Sequence, residues 1–318
     1  MERPILSARG AAGYLEALDN VLLLTHVRPD GDTIGSAAAL CRALRDCGQT
    51  AYLLPNPEIT ATYAPYAAPY WAPEGWQAEH IVSVDIADAS LLPENAQSYR
   101  DRIELAIDHH PSQTFFARNT CLEADSAACG EIVYEIIQHL TALTADIALP
   151  LYVAVSTDCG GFQYGNTTAR THRIAAALMD VVDVAAVNKT LFRTKSRVRL
   201  AMESRMVADM KLFDHQRVVV MEIPLSLRQE MQATDADIEE LSALPALVAG
   251  TDCGVTLREL RPGTVKVSVR TGPRVDACAL CRILGGGGHH AASGATVEGT
   301  LDEARMAVLA AYRKVIGA

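Results

Sequence analysis

The sequence predicts an α/β chain: a doubly wound, mainly parallel sheet in an N-terminal domain, a helical connector, and a smaller α/β C-terminal domain. Three observations carry this. Short apolar strand-like runs alternate with amphipathic helical runs through the first half, the pattern of parallel strands joined by helices. The 318 residues are about twice the usual domain length. Apolar residues make up 49% and charged residues 21%, which supplies a large core and excludes a disordered chain.

Taken in order, Asn20–Thr25 reads as a buried strand, with three leucines in succession. A helix from Thr33 to Cys47 sets Ile34, Ala37, Ala38, Cys41 and Leu44 on one face, and Gly48 ends it. Thr50–Leu54, His80–Val84 and Ile103–Ile107 are further short strands, and 63–76, rich in Ala, Pro and Tyr, is a loop near the sheet edge. Glu131–Leu140 and Ile147–Ser156 read as helices, the second capped by Asp146. From about Asp180 to Phe213 the chain reads as one helix carrying Lys189, Arg193, Lys195, Arg197, Arg199, Arg205 and Lys211. Such a basic run is more often a solvated helix face than a nucleic-acid groove, and no aromatics interleave it to stack bases. Strands at Arg217–Ile223, Val255–Leu260 and Val265–Arg270 follow, with helices at about 236–247, 275–284 and 301–315. The expected divisions are 1–185, a linker over 186–215, and 216–318.

The net charge of −10 argues against a protein that follows duplex DNA by neutralising phosphates. The acidity is lopsided: residues 216–318 carry 11 Lys+Arg against 12 Asp+Glu, which leaves 17 against 26 for residues 1–215. No run approaches the roughly 18 apolar residues of a membrane helix. The first residues lack the layout of a signal peptide, and the eight cysteines follow no framework spacing. A reduced, cytoplasmic protein is the expectation.

Four stretches set metal-binding side chains just past strand or helix ends. They are His26-Val27-Arg28-Pro29-Asp30-Gly31-Asp32, Val84-Asp85, Ile107-Asp108-His109-His110, and Ser156-Thr157-Asp158. Imidazole with carboxylate oxygen suits Mn²⁺, with Mg²⁺ or Co²⁺ as substitutes, and the lack of thiolates weighs against structural zinc. Any one of these residues could instead cap a helix or bond within a loop. Four such clusters at one sheet edge would repel unless cations neutralise them, and two cations sharing an Asp also supply hydroxide near neutral pH.

These motifs, His26-x3-Asp30-x-Asp32, Asp85, Asp108-His109-His110 and Asp158, resemble in order and spacing those of the DHH phosphoesterase superfamily. The stretch Gly285-Gly286-Gly287-Gly288-His289-His290-Ala291-Ala292-Ser293-Gly294 is similar to the glycine-rich motif of its associated second domain. With two compact domains the chain looks like the NrnA-type subgroup, nanoRNases and pAp phosphatases. The resemblance implies a first metal on His26 and Asp30, a second on Asp32, His109 and Asp158, and Asp85 bridging both. It implies that His110 faces the scissile phosphate as leaving-group acid or charge stabiliser, with Asp108 orienting it. The chain departs from the pattern at Gln163, near which many relatives have Arg, and so lacks the guanidinium that would contact phosphate there.

In the second domain, four successive glycines can let backbone N–H groups approach a phosphate, or can simply make a tight turn. Gly286, Gly287, Gly288 and His289 are the candidate substrate contacts, with His290 less so. Arg270 at a strand end offers a bidentate guanidinium, the alternative being an exposed charge. Cys278 and Cys281 read as buried helix cysteines rather than a redox or zinc pair. The expected activity is hydrolysis, with two Mn²⁺ per chain, of short RNA oligonucleotides and linear dinucleotides to mononucleotides, and of pAp to AMP, the second domain closing over the substrate. The chain could act as a homodimer. Rival readings are a pyrophosphatase or exopolyphosphatase, a cyclic-dinucleotide phosphodiesterase, or a non-catalytic nucleotide-binding module.

Overall fold

The computed structural model describes residues 4–317, which form two compact units that meet in sequence between Thr194 and Lys195. The expected linker of 186–215 is thus shared between the two, with 186–194 closing the first and 195–215 opening the second.

In the first unit, β1 (Val21–Leu24), β2 (Ala51–Leu53), β3 (His80–Val84), β4 (Ile103–Asp108) and β5 (Asn119–Leu122) form a parallel sheet in the order β2-β1-β3-β4-β5. Side chains alternate across a strand, and β1 shows the consequence. Val21 and Leu23 face a core built with α1 (Ala8–Glu16), α2 (Gly31–Asp46), α3 (Cys129–Leu140), α4 (Ala145–Asp158) and α5 (Ala169–Met179). Leu22 and Leu24 face a second core with Ile81, Ile86, Leu92 and Ile103, covered by 3₁₀ turns within 89–102 rather than by α-helix. Two-sided burial explains why the strand reads as an unbroken apolar run.

The strand order reverses at β1. The chain leaves β1 through α2 to β2 on one side, then returns to β3 on the other. Open α/β sheets bind ligands at such a switch point, beyond the carboxyl ends of the strands. Both β1 and β3 are followed by the acidic and imidazole residues singled out above.

The second unit holds α6 (Arg197–Ala208), β6 (Lys211–Phe213), β7 (Val218–Ile223), β8 (Cys253–Arg261), β9 (Thr264–Thr271), α7 (Ala277–Ile283), β10 (Gly287–Gly288), β11 (Ala292–Glu298) and α8 (Leu301–Ile316). Its sheet runs β10-β11-β9-β8-β7-β6, antiparallel except where β7 meets β8. Val218 and Val220 pack toward α7 and α8, while Val219, Met221 and Ile223 pack toward Met202 and Met206 of α6.

Several expectations need correction. The single helix over 180–213 is divided by a wide turn at Lys189–Arg193, a new helix capped by Ser196, and the strand β6. Ser196 Oγ accepts the Arg199 N–H at 2.9 Å, a start signal that a basic helical run conceals. Four of the seven basic side chains there are paired: Lys195 and Arg199 with Glu203, Arg205 with Asp209, Lys211 with Glu222. The residue at the cap position of α4 is Thr144, and Asp146 sits in the first turn, where it binds Arg42 at 2.6 Å. The region 63–76 contains a helical turn at Ala64–Ala67, and 239–247 is 3₁₀. Strand β5 has no signal in the sequence, since its four residues carry too short an alternation to read and are extended by pairing with β4. Cys281 is buried on α7 and Cys278 half-buried. Among the described residues no helix is long and apolar enough to cross a membrane.

Candidate metal centre

Each expected ligand is delivered by a different device. After β1 the chain turns at Val27–Pro29, and Asn56 holds the turn by donating to Thr25 Oγ1 and to the His26 carbonyl. Asp30 is the N-cap of α2 and accepts the N–H groups of Asp32 and Thr33. Asp32, one residue inside α2, is 1% exposed. Its oxygens accept the N–H groups of Cys129 at 2.7 Å and Gly130 at 2.9 Å, so it caps α3, whose own cap position is Ala128 and makes no side-chain bond. The approach is close: a Cβ at Gly31 would collide with Thr157 on α4, and one at Gly130 with Ala154 and Val155. Glycines here let α2, α3 and α4 converge, which carries Asp158 at the end of α4 toward Asp32.

Asp85 follows β3 with φ of +61°, a left-handed conformation that Asp tolerates better than most residues. Asp108 ends β4 fully buried. Its Oδ1 accepts from the N–H groups of His109 and His110 and from His110 Nδ1 at 2.8 Å, and its Oδ2 accepts from Gln113 at 2.6 Å.

The structure brings His26, Asp30 and Asp85 into one cluster and Asp32, His109 and Asp158 into another. His26 Nε2 is 3.6 Å from Asp30 Oδ1 and 3.7 Å from Asp85 Oδ2. His109 Nε2 is 3.6 Å from Asp85 Oδ1, 3.7 Å from Asp32 Oδ2 and 3.8 Å from Asp158 Oδ2. These gaps exceed hydrogen-bond lengths, yet they admit an ion whose donors each stand about 2.0–2.2 Å away. Asp85 thus turns one oxygen to each cluster. His110 joins a third grouping with Asp85 and His109, but its Nδ1 is engaged by Asp108.

Whether cations suit this site can be tested on its own chemistry. Asp85 Oδ1 is buried and accepts no hydrogen bond, an expensive state for a carboxylate. Burial pushes Asp85 well above the carboxylate range, and the charges of Asp32, Asp30, Asp108 and Asp158 add to it. Burial and the Asp32 charge raise Asp158 to about 7. Asp32 is raised by burial and by Asp30, against the pull of His109. Asp30 alone is lowered: burial opposes its ionisation, but His26 and two backbone N–H groups prevail. A cluster strained toward protonation is what cations relieve. The imidazoles agree. His26 Nδ1 bonds the Val27 carbonyl at 2.8 Å and His109 Nδ1 the Ser126 carbonyl at 3.0 Å. Each therefore donates its Nδ1 proton to that carbonyl and turns Nε2 to the carboxylates. The donor set fits hard divalent ions.

Residues that the sequence did not mark also shape the site. Gln113 (buried) ties Asp108 to the Ile86 carbonyl, and the Ser126 carbonyl aims His109. A buried polar residue five positions after Asp108 is a faint signal, and a backbone carbonyl is none. Gln163, which stands near the position of an Arg in many relatives, is exposed on the loop after Asp158, in which Gly160, Gly161 and Phe162 all take positive φ.

The remaining candidates lie in the second unit. Arg270 is on β9, half-buried, with Nη1 donating to the Val269 carbonyl. Gly287 and Gly288 pair with Gly294 and Ser293, and the His289 N–H closes the hairpin on Ala292. A Cβ at Gly286 would strike the Gly294 carbonyl and one at Gly288 the Ser293 side chain, so close pairing with β11 accounts for these glycines by itself. His289 and His290 are exposed.

Residues 20–155 match the model of the DHH family, N-terminal domain. The chain is 32% identical over 313 residues to the bifunctional oligoribonuclease and PAP phosphatase NrnA of Thermus thermophilus, covering 96% of this chain and 93% of that protein. It is 24% identical to the protein of the same name from Bacillus subtilis, over 88% and 90% of the two chains. An exopolyphosphatase-related protein from Bacteroides fragilis shares the fold, with a TM-score of 0.88 at 21% identity over 98% of this chain and 96% of that one.

Proposed function

The chain belongs to the DHH family, and from that membership we propose that it is a metal-dependent phosphoesterase hydrolysing short oligoribonucleotides and linear dinucleotides to mononucleotides, and pAp to AMP. The observation that carries the reading is Asp85, with one oxygen toward His26 and Asp30 and the other toward His109, Asp32 and Asp158. In this proposal these six residues hold two divalent cations, Mn²⁺ by preference. When bound, the cations would neutralise charge on the phosphoryl oxygens and lower the pKa of water.

The chain's own groups do the rest. Buried Asp108 keeps His110 Nδ1 protonated and leaves Nε2 for the substrate. The His110 pKa is raised: burial opposes protonation, but Asp108 and the neighbouring carboxylates overcome it. A protonated imidazole can give its Nε2 proton to the departing oxygen or stabilise charge there. Asp108 remains the orienting carboxylate, itself held by Gln113. Arg270, Gly286, Gly287, Gly288 and His289 are proposed to hold the substrate's far phosphate, a role of positioning rather than of bond cleavage. The near-neutral balance of residues 216–318 disfavours a dense polyphosphate as substrate.

A substrate panel tests the reading: pAp, linear dinucleotides, a 5-mer, a 20-mer, cyclic dinucleotides and pyrophosphate, each with Mn²⁺, resolved by chromatography. Mononucleotides from the short linear substrates, lost on chelation and restored best by Mn²⁺, are expected. Full turnover by metal-free enzyme, or cleavage of pyrophosphate alone, would overturn the proposal.

A further inference from the structure

Loop 123–128 joins β5 to α3, and two of the proposed ligands depend on its shape. Its Ser126 carbonyl accepts from His109 Nδ1, and it leads into the Cys129 and Gly130 N–H groups that hold Asp32. The loop sequence, Glu-Ala-Asp-Ser-Ala-Ala, has no proline or glycine to set that shape. Asn166 Nδ2 donates to the Ala127 carbonyl at 3.0 Å and the Glu123 N–H to the Asp108 carbonyl, while the charged contacts of the loop and of the α3 face beside it meet at Arg170, in the first turn of α5. Arg170 Nη1 donates to Glu123 Oε2 at 2.9 Å and to Ser126 Oγ at 3.0 Å. Nη2 stands 2.7 Å from Glu135 Oε1, and Nε 3.8 Å from Glu131 Oε2. Glu131 is 1% exposed, accepts the Thr171 hydroxyl at 2.5 Å, and reaches back to the Ala127 N–H. One guanidinium therefore balances three carboxylates, one of them wholly buried.

We infer that Arg170 is a positioning residue for the Asp32–His109–Asp158 cluster, holding loop 123–128 so that Ser126 aims His109 and the start of α3 aims Asp32. The inference rests on the metal-centre reading proposed above and adds a residue that touches neither ion. Its reach should be selective. His26 bonds the Val27 carbonyl and Asp30 the N–H groups of its own helix, so the other cluster draws no hydrogen bond from this loop. Without the guanidinium, Glu131 would be left buried with little to balance it, and the loop would open to water or rearrange. Lysine restores the charge but cannot fork to Glu123, Ser126 and Glu135 together.

Calorimetric titration of metal-free protein with Mn²⁺, without substrate, tests this. Wild type is expected to take up two ions. Arg170→Met should weaken one of them about 10–100-fold, the range for loss of a group that orients a ligand, and leave the other unchanged. Arg170→Lys should fall between. In a His26→Ala background the one remaining ion should be the sensitive one. Wild-type affinity for both ions in Arg170→Met, or equal loss of both, would overturn the inference. If Arg170→Met does not fold, Arg170→Lys and Ser126→Ala decide, and unchanged binding of both ions in both variants would overturn it. Wild type that binds no ion would overturn the metal-centre reading instead, which separates the two failures.

Discussion

Asp85 Oδ2 lies 3.7 Å from His26 Nε2 while Asp85 Oδ1 lies 3.6 Å from His109 Nε2, so one buried carboxylate faces both imidazoles. Removing it should be worse than removing a ligand that serves one cluster. Asp85→Ala is expected to lose both ions and fall to background activity, whereas Asp30→Ala should keep an ion at the other cluster. Metal content by mass spectrometry after desalting checks this, and Asp85→Ala that keeps two ions would contradict the bridging role.

His110 should behave differently from His109. Its Nδ1 is held by Asp108, which leaves only Nε2 for chemistry. His110→Ala should retain near-normal metal content while the rate drops by roughly 10²–10⁴-fold, the usual worth of a general acid. Loss of both ions in this variant would make His110 a ligand instead.

How far these residues could be read from the chain depends on the kind of contact each makes. The clustering of His26, Asp30, Asp32, Asp85, His109 and Asp158 was legible because carboxylates and imidazoles standing just past strand or helix ends are a local pattern. Four strands of the first sheet were legible as buried apolar runs, as Leu22–Leu24 shows, whereas β5 was not. Arg170 was not, since its partners Glu123 and Ser126 are 47 and 44 residues away and nothing in the spacing joins them. The Ser126 carbonyl could not be, because any residue would supply one. The break at 189–196 and the strand β6 escaped for a related reason: Lys211–Phe213 is extended because it pairs with Val218–Val220, and that tertiary pairing overrides a helical propensity.

Metal-free protein should be more stable in mild acid than at pH 8. Asp158 is raised by burial and by Asp32 to about 7, and Asp85 is raised well above the carboxylate range by burial and the surrounding carboxylates. A carboxyl with a higher pKa folded than unfolded binds more protons folded, so stability falls as pH rises. For Asp158 the window runs from about 4, its ordinary value, up to about 7. The raised His26 and His110 act in the same direction, and the lowered Asp30 acts only below about 4. Tm should therefore be higher at pH 5.5 than at pH 8 in chelator. Mn²⁺ should reverse the order and displace protons near pH 6.5, visible as a buffer-dependent heat of binding. Greater stability at pH 8 without metal would refute the crowded-carboxylate account.

The last prediction separates positioning from chemistry. The proposed ligands all lie in residues 26–158, whereas Arg270 lies on β9 of the second unit, where its Nη1 touches the Val269 carbonyl. If Arg270 binds the far phosphate, Arg270→Ala should leave metal content unchanged and impair cleavage of a dinucleotide bearing a 5′-phosphate. A lost charge-assisted hydrogen bond is worth about 1.5–3 kcal/mol, which corresponds to roughly 10–150-fold in kcat/KM. Bis-p-nitrophenyl phosphate has no far phosphate to hold, so its hydrolysis should lose little. The ratio of the two rates, wild type against variant, is therefore the informative quantity. Equal loss on both substrates would mean that Arg270 supports folding or bond cleavage itself. An unchanged ratio with full activity would return it to a strand-end charge, and the glycine hairpin at 287–294 would then stand as close backbone pairing alone.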